Sequence, residues 1–298
     1  MDETNTSSQP RLQPFVQAGY QEKSHQGKYR QEKRRHEKRR QDKSYQKINT
    51  QLKISQLKNT QREKDDQFYL ECEKHWIFMI LIFVGGFFGA YTYTVRGGIF
   101  CNAQTANIVL LGMALGNQEW MKIIYLVASL IAYLMGTMLS EILAKRVKRF
   151  KLLRWDTIFI GIEIIIVAIL AALPKSAPDQ ICQISLNFIC SMQFNTFRAS
   201  QGIPMATTFI TNHVRQIAVN IVRSIRDKNK KASSRWKRHF IMLILFLLGA
   251  VFSAVMCIYF DVHALWFAIP FLIYAFIRLL IADRTIEKAY LYKTPMGH

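Results

Sequence analysis

The chain has 298 residues, half of them hydrophobic, with 40 Lys/Arg against 20 Asp/Glu and a net charge of +20. Its apolar residues come in long blocks, a distribution that excludes an ordinary soluble domain. Five cysteines (Cys72, Cys101, Cys182, Cys190, Cys257) show no CxxC spacing, which excludes a zinc ribbon or a disulfide framework and leaves them as small packed hydrophobes.

The first 75 residues are polar, with 17 Lys/Arg against 11 Asp/Glu. Residues 1–27 are rich in Gln, Ser, Thr and Asn and are expected to be disordered. Residues 28–47 hold ten bases and three acids. Such an arm fits anionic headgroups, where each base contributes on the order of 1 kcal/mol. Nucleic acid is disfavoured, because the arm lacks the interleaved aromatics of a stacking platform. No cleavable signal peptide is visible, so the first apolar block is read as a true span.

Six stretches approach the length of about 20 apolar residues needed to cross the bilayer: 76–96, 122–143, 157–173, 182–200, 239–260 and 262–282. The fourth is weak, interrupted by Asn187, Gln193 and Asn195, whose polar groups need protein neighbours. The second carries Ala128, Ala132, Gly136 and Ser140 at i+4 steps, and the fifth carries Gly249 and Ser253. Small stripes of this kind let helices approach closely, within a monomer or between copies in a homo-oligomer. Arg96, Arg198 and Arg278 at span ends are expected to snorkel to the headgroups.

Two polar segments follow the first and fourth spans. One reads Gly97-Gly98-Ile99-Phe100-Cys101-Asn102-Ala103-Gln104-Thr105-Ala106-Asn107, the other Gly202-Ile203-Pro204-Met205-Ala206-Thr207-Thr208-Phe209-Ile210-Thr211-Asn212-His213. Thr105 and Thr211 each lie 29 residues past the start of the preceding span, Trp76 and Cys182. Charge decides whether these segments cross. Six bases lie between Lys145 and Arg154, and eight between Arg223 and Arg238. Six spans with both segments re-entrant put every basic region on the cytoplasmic side, with both termini; eight spans do not. Three spans per half then force the second half to run inverted. The fold class is therefore an all-α polytopic membrane protein, a six-helix domain over 76–282. It is built as 3+3 inverted repeats (about 76–173 and 182–282) with two broken segments, followed by a cytoplasmic tail, 283–298. Matching interruptions in two halves point to a binding site near the midplane.

The candidate site residues are Asn102, Gln104, Thr105 and Asn107 in the first half. Gln193, Asn195, Thr207, Thr208, Thr211 and Asn212 stand in the second. Amides and hydroxyls at broken helix ends can hold a small ion or polar solute. His213 is expected to be a packed histidine. Glu163, an acid inside the third span, is the candidate coupling residue, with pairing to Arg198 or the 145–154 bases as the alternative. No Walker loop, HExxH or Ser-His-Asp order is present, so neither a soluble enzyme nor a metal or cofactor is expected.

These residues carry a family resemblance. Gly85-Gly86-Phe87-Phe88-Gly89-Ala90, Gly97-Gly98-Ile99-Phe100, the run from Ala103 to Gly112, and Thr207-Thr208-Phe209-Ile210-Thr211-Asn212 resemble the signature of the YoaK family over roughly residues 76–282. Gln193 and Arg215 also match its pattern. The resemblance implies a bacterial inner-membrane protein of unassigned function. Gly89, Ala106, Phe194 and Asn212 depart from the family's usual Asp, Gly, Asn and Gly. Two functions are open at this stage: a small-solute or ion permease, or a non-transporting membrane scaffold whose basic arm holds lipid or a cytoplasmic partner.

Overall fold

The computed structural model describes residues 69–147 and 152–295; the basic arm and the centre of the 145–154 cluster lie outside the described residues. The fold is almost wholly helical. A 3-10 turn, Glu71–Glu73, leads into α1 (His75–Val95). Then come α2 (Gln104–Gly116), α3 (Trp120–Val147), α4 (Trp155–Ala171) and α5 (Asp179–Thr196). A hairpin of β1 (Ala199–Ser200) and β2 (Ile203–Pro204) precedes α6 (Thr211–Arg226), α7 (Lys230–Phe260), a 3-10 stretch Asp261–Ala268 and α8 (Ile269–Arg284).

Among the described residues, three helical runs are long and apolar enough to cross a membrane: His75–Val95, Trp120–Arg146 and Lys230–Arg284. At ~1.5 Å per residue, α1 alone measures about 32 Å, close to the hydrocarbon thickness of roughly 30 Å. Large apolar side chains such as Ile124, Ile131, Met138, Leu247, Val251 and Ile258 stand exposed along α3 and α7. This is an all-α membrane protein. The Lys230–Arg284 run folds back on itself at Asp261, whose φ of 50° breaks the helix.

Element ends differ from the sequence expectation in three places. The fourth apolar stretch does not run to residue 200. α5 stops at Thr196, because Gln201 and Gly202, both at positive φ, turn the chain into the hairpin. α7 begins nine residues earlier than its apolar part, capped by Asn229, whose side chain accepts from the backbone N–H of Lys231 (3.0 Å) and Ala232 (3.3 Å). The last apolar stretch opens as a 3-10 helix before α8.

Hydrogen bonds fix which ends lie together. At one end, the Glu73 carbonyl accepts from Gln201 N–H (2.9 Å) and Arg238 donates to Gln201 (2.7 Å), joining the starts of α1 and α7 to the end of α5. Trp155 donates to Thr196 (2.9 Å), and Asp283 accepts from Arg154 N–H (3.0 Å) and from the Thr157 hydroxyl (2.7 Å). The start of α4 and the end of α8 therefore lie there too. At the opposite end, Tyr91 donates to the Val262 carbonyl (2.7 Å) and His263 meets the Ala171 carbonyl (3.1 Å). Along the chain α1, α4 and α7 run one way; α5 and α8 run the other. α3 runs parallel to α5, with Gly136 against Phe188 and Ser140 bonded to Thr196 (3.1 Å).

The two largest helix interfaces are α1 on α7 and α3 on α5. Both are glycine crossings. A methyl group at Gly86 would collide with the Phe246 carbonyl of α7, and one at Gly249 with the Phe83 carbonyl of α1. One at Gly136 would strike the Phe188 carbonyl and the Ser191 hydroxyl of α5. Without a hydrophobic drive in lipid, such backbone-to-backbone approach is what holds helices together. Of the stripe read from the sequence, Ala132, Gly136 and Ser140 are buried and Ala128 is half-buried. Gly86→Ala is expected to lower the melting temperature of the purified protein, at a cost of about 1–3 kcal/mol from overpacking. Gly112→Ala, whose position has no neighbour within 4 Å, should be neutral or stabilising. Equal melting of the two variants would contradict the crossing.

Candidate functional site

The two polar segments come from opposite ends of the bundle and meet in the middle of α1. After α1 the chain turns through Gly97 and Gly98, at φ 77° and 73°, and re-enters. Cys101 N–H then donates to the Thr92 hydroxyl (3.2 Å) and Asn102 Nδ2 to the Gly85 carbonyl (2.8 Å). After the β-hairpin the second segment arrives at the same residue, where a Cβ on Gly85 would lie 2.5 Å from the Thr207 carbonyl oxygen. α2 and α6 then lead back out toward the ends from which their segments came.

A cleft of about 900 Å³ opens where the tips meet. Asn102, Gln104 and Thr105 line it from the first segment, Thr208 and Thr211 from the second. Gly86 and Gly89 of α1, Tyr133 of α3 and Phe246 and Ala250 of α7 complete its walls. These wall residues sit midway along their helices. Arg215, one turn past Thr211 on α6, also faces the cleft. Sequence reasoning left Arg215 out of the site; its i+4 spacing from Thr211 was the available signal.

The other candidates do not line the cleft. Asn107 donates to the Phe100 carbonyl (2.7 Å), closing the first loop on itself. Gln193 reaches across to the Leu81 carbonyl (3.3 Å). Asn195 accepts from Arg198 (2.6 Å) at the end of α5. Thr207 is buried beside Gly85, and Asn212 accepts from Arg215 (3.1 Å). The polar residues of α5 thus satisfy groups of the first half. Gln183 donates to the Arg96 carbonyl, and Asn187 accepts from Gln104 (2.6 Å).

Arg96 does not snorkel. It is fully buried, donates to Tyr91 (3.3 Å) and faces Asp179 at 3.5 Å. Its guanidinium is shut under the start of α5 instead of reaching the surface. Arg198 pairs with Glu141 (2.7 Å), and Arg278 with Glu71 (3.0 Å) while lying 4.9 Å from the Trp76 ring centre. Glu163 pairs with neither Arg198 nor the described bases of the 145–154 stretch. It is fully buried in α4, and both carboxyl oxygens lack a hydrogen-bond partner.

His213 is packed as expected. Its Nε2 meets the Ala206 carbonyl (3.0 Å), and its Nδ1 lies 3.1 Å from Nδ1 of His239. A carbonyl only accepts, so Nε2 carries hydrogen, and in the neutral ring Nδ1 is left to accept from His239. No cluster of three metal-ligating side chains occurs among the described residues. All five cysteines are buried and free, and the Cys101 and Cys190 sulfurs are 3.7 Å apart.

The family described as protein of unknown function (DUF1275) matches residues 77–278, from the start of α1 into α8. The chain belongs to this family. No curated protein and no solved structure matches it.

Asn102 is the peg that holds the first tip on α1. Asn102→Leu should leave the Gly85 carbonyl unpaired, at a cost of about 1–3 kcal/mol, and loosen the loop around Cys101. Peptide mass spectrometry after labelling with a membrane-permeant maleimide should show Cys101 modified several-fold faster than in the wild type. An unchanged rate would show that the bond does not hold the tip.

Proposed function

We propose that this DUF1275 protein is a small-solute or ion permease with its site in the cleft between the two interrupted segments. The observation that carries this reading is the convergence of both tips on Gly85, beside a polar-lined cleft at mid-height of the bundle. Irregular backbone at that depth is tolerated only around a cavity or inside protein. Discontinuous helices meeting at the midplane are a recurring transporter architecture.

The proposed topology has six spans, α1, α3, α4, α5, α7 and α8, with α2 and α6 as broken half-helices. Helix directions support it, alternating along the chain in that order. Packing supports 3+3 inverted repeats. The first span of each half packs on the second span of the other, α1 on α7 and α5 on α3. Each broken helix packs on the span that follows it, α2 on α3 and α6 on α7. Exchanging the halves leaves this pattern unchanged. The basic clusters then share the cytoplasmic side of a bacterial inner membrane, in line with the positive-inside rule and with the YoaK-like signature. The basic arm is assigned to anionic headgroups, and Glu163 to a cation or proton that accompanies the solute.

Three measurements test the reading. A solute that raises the melting temperature of the wild type should lose most of that effect in Thr105→Val/Thr211→Val; full retention in the double variant would rule out the cleft. Glu163→Gln should keep solute binding while uptake into proteoliposomes loses its dependence on an imposed pH gradient. An impermeant maleimide should label Ser176→Cys and not Ser233→Cys in sealed cells, against a silent background of buried native cysteines. Labelling of Ser233→Cys from outside would reverse the orientation.

A further inference from the structure

Building on the permease reading, we infer that the cleft selects an anion: the uncapped starts of α2 and α6, with Arg215, form a site for a small anionic solute. Helix starts in proteins favour Ser, Thr, Asp or Asn at the N-cap, where the side chain accepts from the first amides. Here the N-cap positions are Ala103 and Ile210, and neither helix has a side-chain cap. The first intrahelical bonds run from Asn107 to Ala103 (3.1 Å) and from Val214 to Ile210 (3.1 Å). The amides of Gln104, Thr105, Thr211 and Asn212 therefore have no partner inside their own helix. The starts of two helices, 13 and 16 residues long, converge on one cleft, each start carrying the equivalent of about half a positive charge.

A second observation points to a ligand independently of the helix ends. Thr208 lines the cleft, is fully buried, and its hydroxyl has no hydrogen-bond partner. A threonine hydroxyl can donate to an anion. The charge balance agrees. Among the described residues lining the cleft, Arg215 carries the only formal charge. Among the described residues it donates to the Asn212 amide oxygen (3.1 Å) and no carboxylate lies within ion-pair distance of it. Arg215 is exposed on α6, and beside these donors the cleft holds one open acceptor, the unpartnered Gln104 amide oxygen. A cation would meet two positive helix ends and a guanidinium, so the arrangement favours an anion.

The test uses the full-length protein in detergent, melted in sodium nitrate, chloride, acetate or gluconate at constant ionic strength. A parallel series varies the cation with one anion. Wild type should be stabilised saturably by the small anions and not by bulky gluconate, and cation identity should have no effect. Arg215→Gln should weaken the apparent affinity about tenfold or more, the loss of one charge-assisted hydrogen bond. Thr105→Asp places a carboxylate at the first turn of α2. It should raise the melting temperature without added salt and abolish the response to anions, which a merely structural threonine would not do. The inference is overturned if no anion stabilises the wild type, if the cation sets the shift, or if both variants keep the wild-type response. Should neutral solutes stabilise the wild type and fail on Thr105→Val/Thr211→Val, the permease reading stands and anion selectivity falls. Should anions bind while proteoliposomes show no anion flux, the site stands and the permease reading falls.

Discussion

The bundle is organised around the missing side chains of Gly85 and Gly86, at the centre of α1. Gly85 gives its carbonyl to Asn102 of one tip and leaves room for the Thr207 carbonyl of the other. Gly86 lets the α7 backbone lie against α1. Two irregular segments and a long helix therefore share one short stretch of another helix. Hydrocarbon supplies no hydrogen bonds, so unwound backbone at this depth must find its partners inside the protein. Any side chain at residue 85 would separate the two tips and close the place where they meet.

The same requirement explains the weak hydropathy of α5. A lipid-facing helix could not carry Gln183, Asn187 and Gln193. Buried between α1, α3 and α4, each of them bonds to a group of the first half: the Arg96 carbonyl, the Gln104 amide and the Leu81 carbonyl. Arg96 belongs to this arrangement, because its backbone and side chain both bond to neighbours beneath α5. At the opposite end, Arg154, Asp156, Thr157 and Asp283 tie the starts and ends of helices together. Polar contacts of this kind set register between helices that would otherwise slide on apolar surfaces.

Much of this was legible in the sequence. Every apolar block became a helix, since span length and hydrophobicity are local properties. The matching interruptions at Thr105 and Thr211 correctly marked the two tips. Asn102, Gln104, Thr105, Thr208 and Thr211, singled out as polar groups at span depth, line one cleft. Asn107, Gln193 and Asn195 had the same signal and lie away from the cleft: Asn107 and Asn195 bond within their own segments, and Gln193 reaches the helix that lies opposite. Arg96 misled for the opposite cause. An arginine at a span end ordinarily reaches water, and nothing local announces that the start of α5 covers it. The end of α5 was placed four residues late, because the hairpin that stops it depends on the pairing of Ala199–Ser200 with Ile203–Pro204 and has no strong local signal.

The exchanged packing of the two halves bears on how the chain is made. The glycine face of α1 is synthesised about 160 residues before Phe246, the residue it fits. At roughly 5–20 residues per second, that face waits on the order of ten seconds or more in lipid or beside the insertion machinery. Throughout that interval α1 has a groove and no helix to fill it. The part of the chain made first cannot be completed as an independent unit, because α7 fills the face of α1. Assembly is therefore one cooperative event that closes late, when α7 arrives, and an error of insertion in either half leaves both unfinished.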